Sequence, residues 1–196
     1  MHLAFDICQG IGIALAVGIR PFIPALAVGA LASGNVQINF SGTDYSFLES
    51  TGFLLAVVVC AVAVAVAERQ LGPEAADRGP LPLVLLGAGL VLAALLFAAA
   101  LAQHHHPAWP GWLAGAVCCL LGAAATRPLL ARVRARLDRQ AAVATVVYAE
   151  VAALLIAVLA TVAPPAGPVA AILLLWLMLA GRRREGQKYA GLRILR

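Results

Sequence analysis

The chain has 196 residues, of which 63% are hydrophobic and 12% charged, with a formal net charge of +5 and a mean hydropathy of +0.94. Those values lie outside the soluble globular norm, and uncharged runs near the ~20 residues needed to cross a hydrocarbon core recur along the chain. They specify an all-α integral membrane protein. A β-barrel is excluded, because the runs are continuous and rich in Ala and Leu instead of alternating.

The first apolar segment runs from about Leu3 to Ala32 and is interrupted by Gly18-Ile19-Arg20-Pro21-Phe22-Ile23-Pro24. A charge near the bilayer centre costs at least ~2.5–3.5 kcal/mol. Each proline removes a backbone donor and disturbs the helix before it. Such breaks survive only where protein or a watery cavity satisfies the freed groups, so Arg20 is expected to face the interior. The segment reads either as one broken helix or as a helix followed by a re-entrant arm. It lacks a cationic leader and carries Asp6, which does not read as a cleavable signal peptide.

A polar loop from Ser33 to Glu49 follows, then a second segment from Thr51 to Ala67. The stretch from Glu68 to Pro82 reads as a solvated loop, and Leu83 to Ala102 as the third segment. The loop Gln103 to Pro110 contains His104, His105 and His106, which read as solvated, since consecutive histidines cannot converge on one metal. Trp109 and Trp112 suit an interface. A fourth segment, Gly111 to Leu130, passes through Arg127-Pro128 into a charged stretch with Arg132, Arg134, Arg136, Asp138 and Arg139. The fifth, Ala141 to Ala163, contains Glu150. Pro164 to Pro168 is a turn, and Val169 to Ala180 the sixth segment.

Of the 14 Lys and Arg, all but Arg20 and Arg127 fall in the second and fourth loops and the tail. The positive-inside rule then gives six spans, with both termini cytoplasmic in a bacterial inner membrane. The chain is a single transmembrane domain. Arg127-Pro128 reads as a weaker copy of Arg20-Pro21, with similar small-residue flanks. Tyr45 and Glu49 compare with Tyr148 and Glu150. This suggests two inverted three-helix repeats, about 1–104 and 105–181, followed by a basic cytoplasmic tail at 182–196, with broken or re-entrant helices at both Arg-Pro positions. In such folds the site lies between the repeats.

The candidate substrate-binding residues are therefore Arg20, Arg127, Pro21 and Pro128, because a guanidinium fork suits an anion or a lipid phosphate. Arg20 could equally pair with Glu150, Glu49 or backbone carbonyls to fix the break. Glu150, Asp44, Tyr45, Glu49 and Tyr148 are the coupling or gating candidates, although Ser41, Thr43 and Asp44 also read as helix-capping residues. No catalytic constellation, metal site or cofactor is expected, the four cysteines read as packed thiols, and the net charge is a matter of topology, not of nucleic acid.

The stretch Gly18 to Ala27, followed by Asn39-Phe40-Ser41-Gly42-Thr43-Asp44-Tyr45-Ser46-Phe47-Leu48-Glu49-Ser50, resembles the bacterial membrane-protein family catalogued as domain of unknown function 4126. The resemblance implies a small polytopic protein and supplies no substrate. Together these readings give a small transporter for an anionic solute or lipid phosphate. The alternatives are a cation or proton channel or exchanger built on Glu150, Glu49 and Asp44, and a non-transporting scaffold or subunit. Membrane lipids are expected neighbours, and six spans allow a homodimer.

Overall fold

The computed structural model describes residues 2–78, 80–134, 137 and 139–190, with the side chains at 71–78, 139–143 and 182–190 left aside. Arg136, Asp138 and the end of the tail lie outside the described residues. Among the described residues the chain is all-helical: α1 (His2–Ile19), α2 (Phe22–Ser33), α3 (Thr51–Arg78), α4 (Leu81–Ala102), α5 (Trp109–Arg134), α6 (Arg139–Val162) and α7 (Ala166–Ala190), with a 3-10 turn at Ser46–Glu49. Five of them, α1, α3, α4, α5 and α6, are long and apolar enough to cross a membrane; α2 and the apolar part of α7 are shorter. This is the arrangement of a multi-pass membrane protein.

The two prolines after Arg20 act differently. α1 stops at Ile19 because Pro21 disfavours helical geometry in the residue before it. Pro24 falls in the first turn of α2, where its missing N–H would have had no partner anyway. The break expected at Arg20-Pro21 is therefore present, and the chain reverses there. α2 climbs back beside α1, and Gln37, just beyond it, accepts a 3.3 Å hydrogen bond from Gln9 Nε2. With 12 residues, α2 rises only ~18 Å. The loop after it fills the remaining depth, burying Ile38, Phe40 and Leu48. Thr43 Oγ1 receives the Tyr45 N–H and donates to the Phe40 carbonyl, so Thr43 organises the turn that precedes the 3-10 helix.

The break expected at Arg127-Pro128 does not form. α5 runs unbroken from Trp109 to Arg134 with Pro128 inside it. A single proline removes one hydrogen bond without the second proline that would start a new helix. Thr126 Oγ1 also donates 2.7 Å to the Gly122 carbonyl one turn earlier. The stretch from Glu68 to Arg78, expected as a loop, continues α3 as helix.

α1 is the central element, packed on α2, α4, α5, α6 and α7, and its residues from Ile13 to Val17 are fully buried. Small residues allow the close approach. A Cβ at Gly18 would fall 2.9 Å from the Cys119 Cα, and one at Gly122 would strike the Leu15 carbonyl. α3 is peripheral, with only 6% of its apolar span buried.

The bundle has two unlike ends. At the upper end His2 stacks on His104 at 4.8 Å, Trp112 Nε1 donates to the Tyr45 hydroxyl at 3.2 Å, and Gly167 packs on the backbone of Cys8. At the lower end lie Arg20, Glu68, Arg127 and Arg134, and Gly181 near the end of α7 sits beside Arg132. The start of α1 and Gly181 near the end of α7 thus lie at opposite ends of the bundle, because the chain reverses at Arg20. α1 and α5 run in the same sense and deliver both Arg-Pro segments to one end, whereas Glu49 and Glu150 lie at opposite ends.

Candidate functional site

A cavity of about 310 Å³ occupies the lower end of the bundle. Its polar wall carries Arg20, Glu68, Arg127 and Arg134, and Pro21 and Pro128 also border it. Its apolar wall comes chiefly from Leu85 and Leu86 of α4 and Leu130 of α5. The four residues expected to bind substrate are therefore brought together, although Arg20 and Arg127 come from helices running in the same direction.

Arg20 is not a free cation. Its Nη1 donates to Glu68 Oε1 at 2.6 Å, and its Nε faces Glu150 Oε1 at 3.5 Å. Its side chain is 9% exposed and that of Glu68 13%. The pairing with Glu150 was one of the two readings open from the sequence. Glu68 was missed, because it directly follows the run ending at Ala67 and reads as the first loop residue; continuing the helical register of α3 by one position would have pointed to it. Arg127 differs. Half-buried on α5, it makes no ion pair with any carboxylate among the described residues, and it contributes the unpaired cationic wall. At the rim, Arg134 Nε donates to the Leu130 carbonyl at 3.4 Å.

The remaining coupling candidates are not assembled with Glu150. Glu49 holds the upper loop, accepting from Ser41 Oγ at 2.8 Å and from the Phe40 N–H at 3.3 Å. Asp44 is exposed at that end, and Tyr45 accepts from Trp112. Tyr148 is 74% exposed on the outer face of α6. These residues thus lie apart from Glu150, because sequence proximity to a charge does not fix the helix face or the end of the bundle.

A second polar cluster sits at the upper end. Asp6 and Gln9 of α1 are 1% and 2% exposed. Gln103 Nε2 donates to Asp6 Oδ1 at 2.8 Å and to Gln9 Oε1 at 3.1 Å, and His104 Nδ1 lies 2.9 Å from Asp6 Oδ1. Gln9 Nε2 donates to the Thr161 carbonyl at 3.1 Å. His104 is thus hydrogen-bonded to Asp6 rather than simply solvated, and His106 Nε2 stands 4.0 Å from Asp6 Oδ2. Among the described residues no group of His, Cys, Asp and Glu could hold a metal ion. The cluster ties α1 to α4 and α6. Asp6→Leu should therefore lower stability by about 1–3 kcal/mol by leaving the Gln103 and His104 donors without their acceptor. Thermal unfolding in detergent measures this; an unchanged midpoint would show that the cluster is dispensable.

No family model matches the chain, and no curated protein or solved structure is significantly similar to it.

Proposed function

We propose that the chain is a small membrane transporter that binds an anion in the lower cavity, either as a free solute or as the phosphate of a lipid headgroup. The observation that carries this reading is Arg127, a guanidinium bordering a cavity of about 310 Å³ with no carboxylate to neutralise it among the described residues. Intramembrane charges without partners mark substrate pathways, and the planar fork matches carboxylate and phosphate oxygens. Pro128 beside it and the chain reversal at Arg20-Pro21 border the same space, and Arg20 orders its wall through Glu68 and Glu150.

The lower end also carries the arginine-rich helix ends, so the positive-inside rule makes it cytoplasmic. The cavity then faces the cytoplasm of a bacterial inner membrane, and the start of α1 faces the other side. The relation between the Arg-Pro segments that fits this layout is a repeat of the same sense, α1–α3 with α5–α7, linked by α4.

Native mass spectrometry of the protein released from membranes tests the reading. The wild type should carry an adduct that Arg127→Gln loses, and the adduct mass separates a phospholipid from a small anion. The same spectrum reports whether two copies associate. An adduct-free wild type, or a variant that keeps the adduct, would overturn the site.

A further inference from the structure

Glu150 is bound asymmetrically. Its Oε1 faces Arg20 Nε at 3.5 Å, while its Oε2 is buried without a hydrogen-bond partner among the described residues. Arg20 is held more closely by Glu68, at 2.6 Å. A buried oxygen left unmatched costs about 1–3 kcal/mol, and more when it is charged. The side chain as a whole is 26% exposed.

The charges around the cavity add a second constraint. Arg20 comes from the break that follows α1, Glu68 from α3 with Arg69 following it, Cys119, Arg127 and Arg134 from α5, and Glu150 from α6. α2 offers no titratable side chain, and α7 offers none between Ala166 and Gly181. The cavity wall itself carries three cations, Arg20, Arg127 and Arg134, and the carboxylate Glu68, while Glu150 stands behind Arg20. Arg20 holds both carboxylates, at 2.6 and 3.5 Å. An anion entering beside Arg20 and Arg127 therefore competes with Glu150 for the same positive field.

We propose that Glu150 is a proton site linked to this anion, taking one proton from water when a monoanion binds and returning it to water when the anion leaves. The inference rests on the anion-binding reading of the cavity and adds its coupling. Arg20 then serves as the relay: protonation of Glu150 weakens its hold on Arg20 and leaves the guanidinium to Glu68 and to the field of the bound anion. No covalent bond other than O–H forms or breaks.

The test uses the whole chain in phosphatidylcholine nanodiscs with dimethyl phosphate, a phosphodiester whose charge stays at one across the pH range studied, and calorimetric binding at stepped pH. In the wild type, Kd should rise about tenfold per pH unit once Glu150 has lost its proton, as linkage of one proton requires. Glu150→Gln should bind with an affinity that no longer follows pH, and Glu150→Asp should restore the slope. Thermal unfolding beside each titration confirms that the variants are folded. A wild type that binds without any pH slope, or a Glu150→Gln variant that keeps the slope, overturns the proton site and leaves the anion site standing. A wild type that binds no dimethyl phosphate at any pH overturns the anion site and the proton site together.

Discussion

Arg20→Ala should lower the stability of the folded bundle by about 3–5 kcal/mol, the loss typical of removing one partner from a buried ion pair. The magnitude comes from what remains. Glu68 and Glu150 both face the space the guanidinium leaves, with side chains 13% and 26% exposed. Two carboxylates would then share a poorly solvated region without their cation. Three helices meet at this point, so the damage should spread through α1, α3 and α6. Denaturant titration in mild detergent measures the loss. The companion variant with Leu at positions 20, 68 and 150 should recover most of it, because apolar replacement of a whole buried network is often neutral or stabilising. An Arg20→Ala protein as stable as the wild type would show that the triad does not hold the helix break.

The second large effect is expected at Gly18. An added Cβ there would stand 2.9 Å from both the carbonyl carbon and the Cα of Cys119, so the obstruction is backbone and no rotamer change relieves it. Gly18→Ala must push α1 away from α5, at a cost of about 1–3 kcal/mol for overpacking. The same substitution at Gly87 meets nothing within 4 Å and should stabilise α4 by about 0.5–1 kcal/mol through its helix preference. The opposite signs make the comparison decisive: equal effects at the two positions would mean that the α1–α5 crossing is looser than this geometry. Gly18 also borders the cavity, so separating the helices should weaken anion binding in the same variant.

Much of the site could be read from the residues, and the limits of that reading have identifiable causes. Arg20-Pro21 announced a break inside protein, because an arginine beside a proline is too costly to leave in lipid. Glu150, Glu49 and the backbone carbonyls were all open as partners for Arg20, and only the packing of α6 places Glu150 beside it. Glu68 escaped because hydropathy ends a span at the first charged residue, whereas backbone hydrogen bonding carries the helix onward. Asp6 escaped because a carboxylate near the start of the chain resembles a solvated end. Its burial comes from Gln103 and His104, far along the chain.

The sequence by itself determined the all-helical membrane class, the break after Ile19, and the concentration of cations outside the apolar runs. Local rules decide those features: hydropathy sets span length, and proline geometry sets where a helix stops. Only the tertiary structure decided that the chain reverses at Pro21 instead of continuing, that α5 tolerates Pro128, and that both arginines share one end. A break states that a helix ends but not where the next one points. That direction is set by which faces pack, here by the small residues of α1 against α4, α5, α6 and α7, and by the partners that Arg20 finds on α3 and α6.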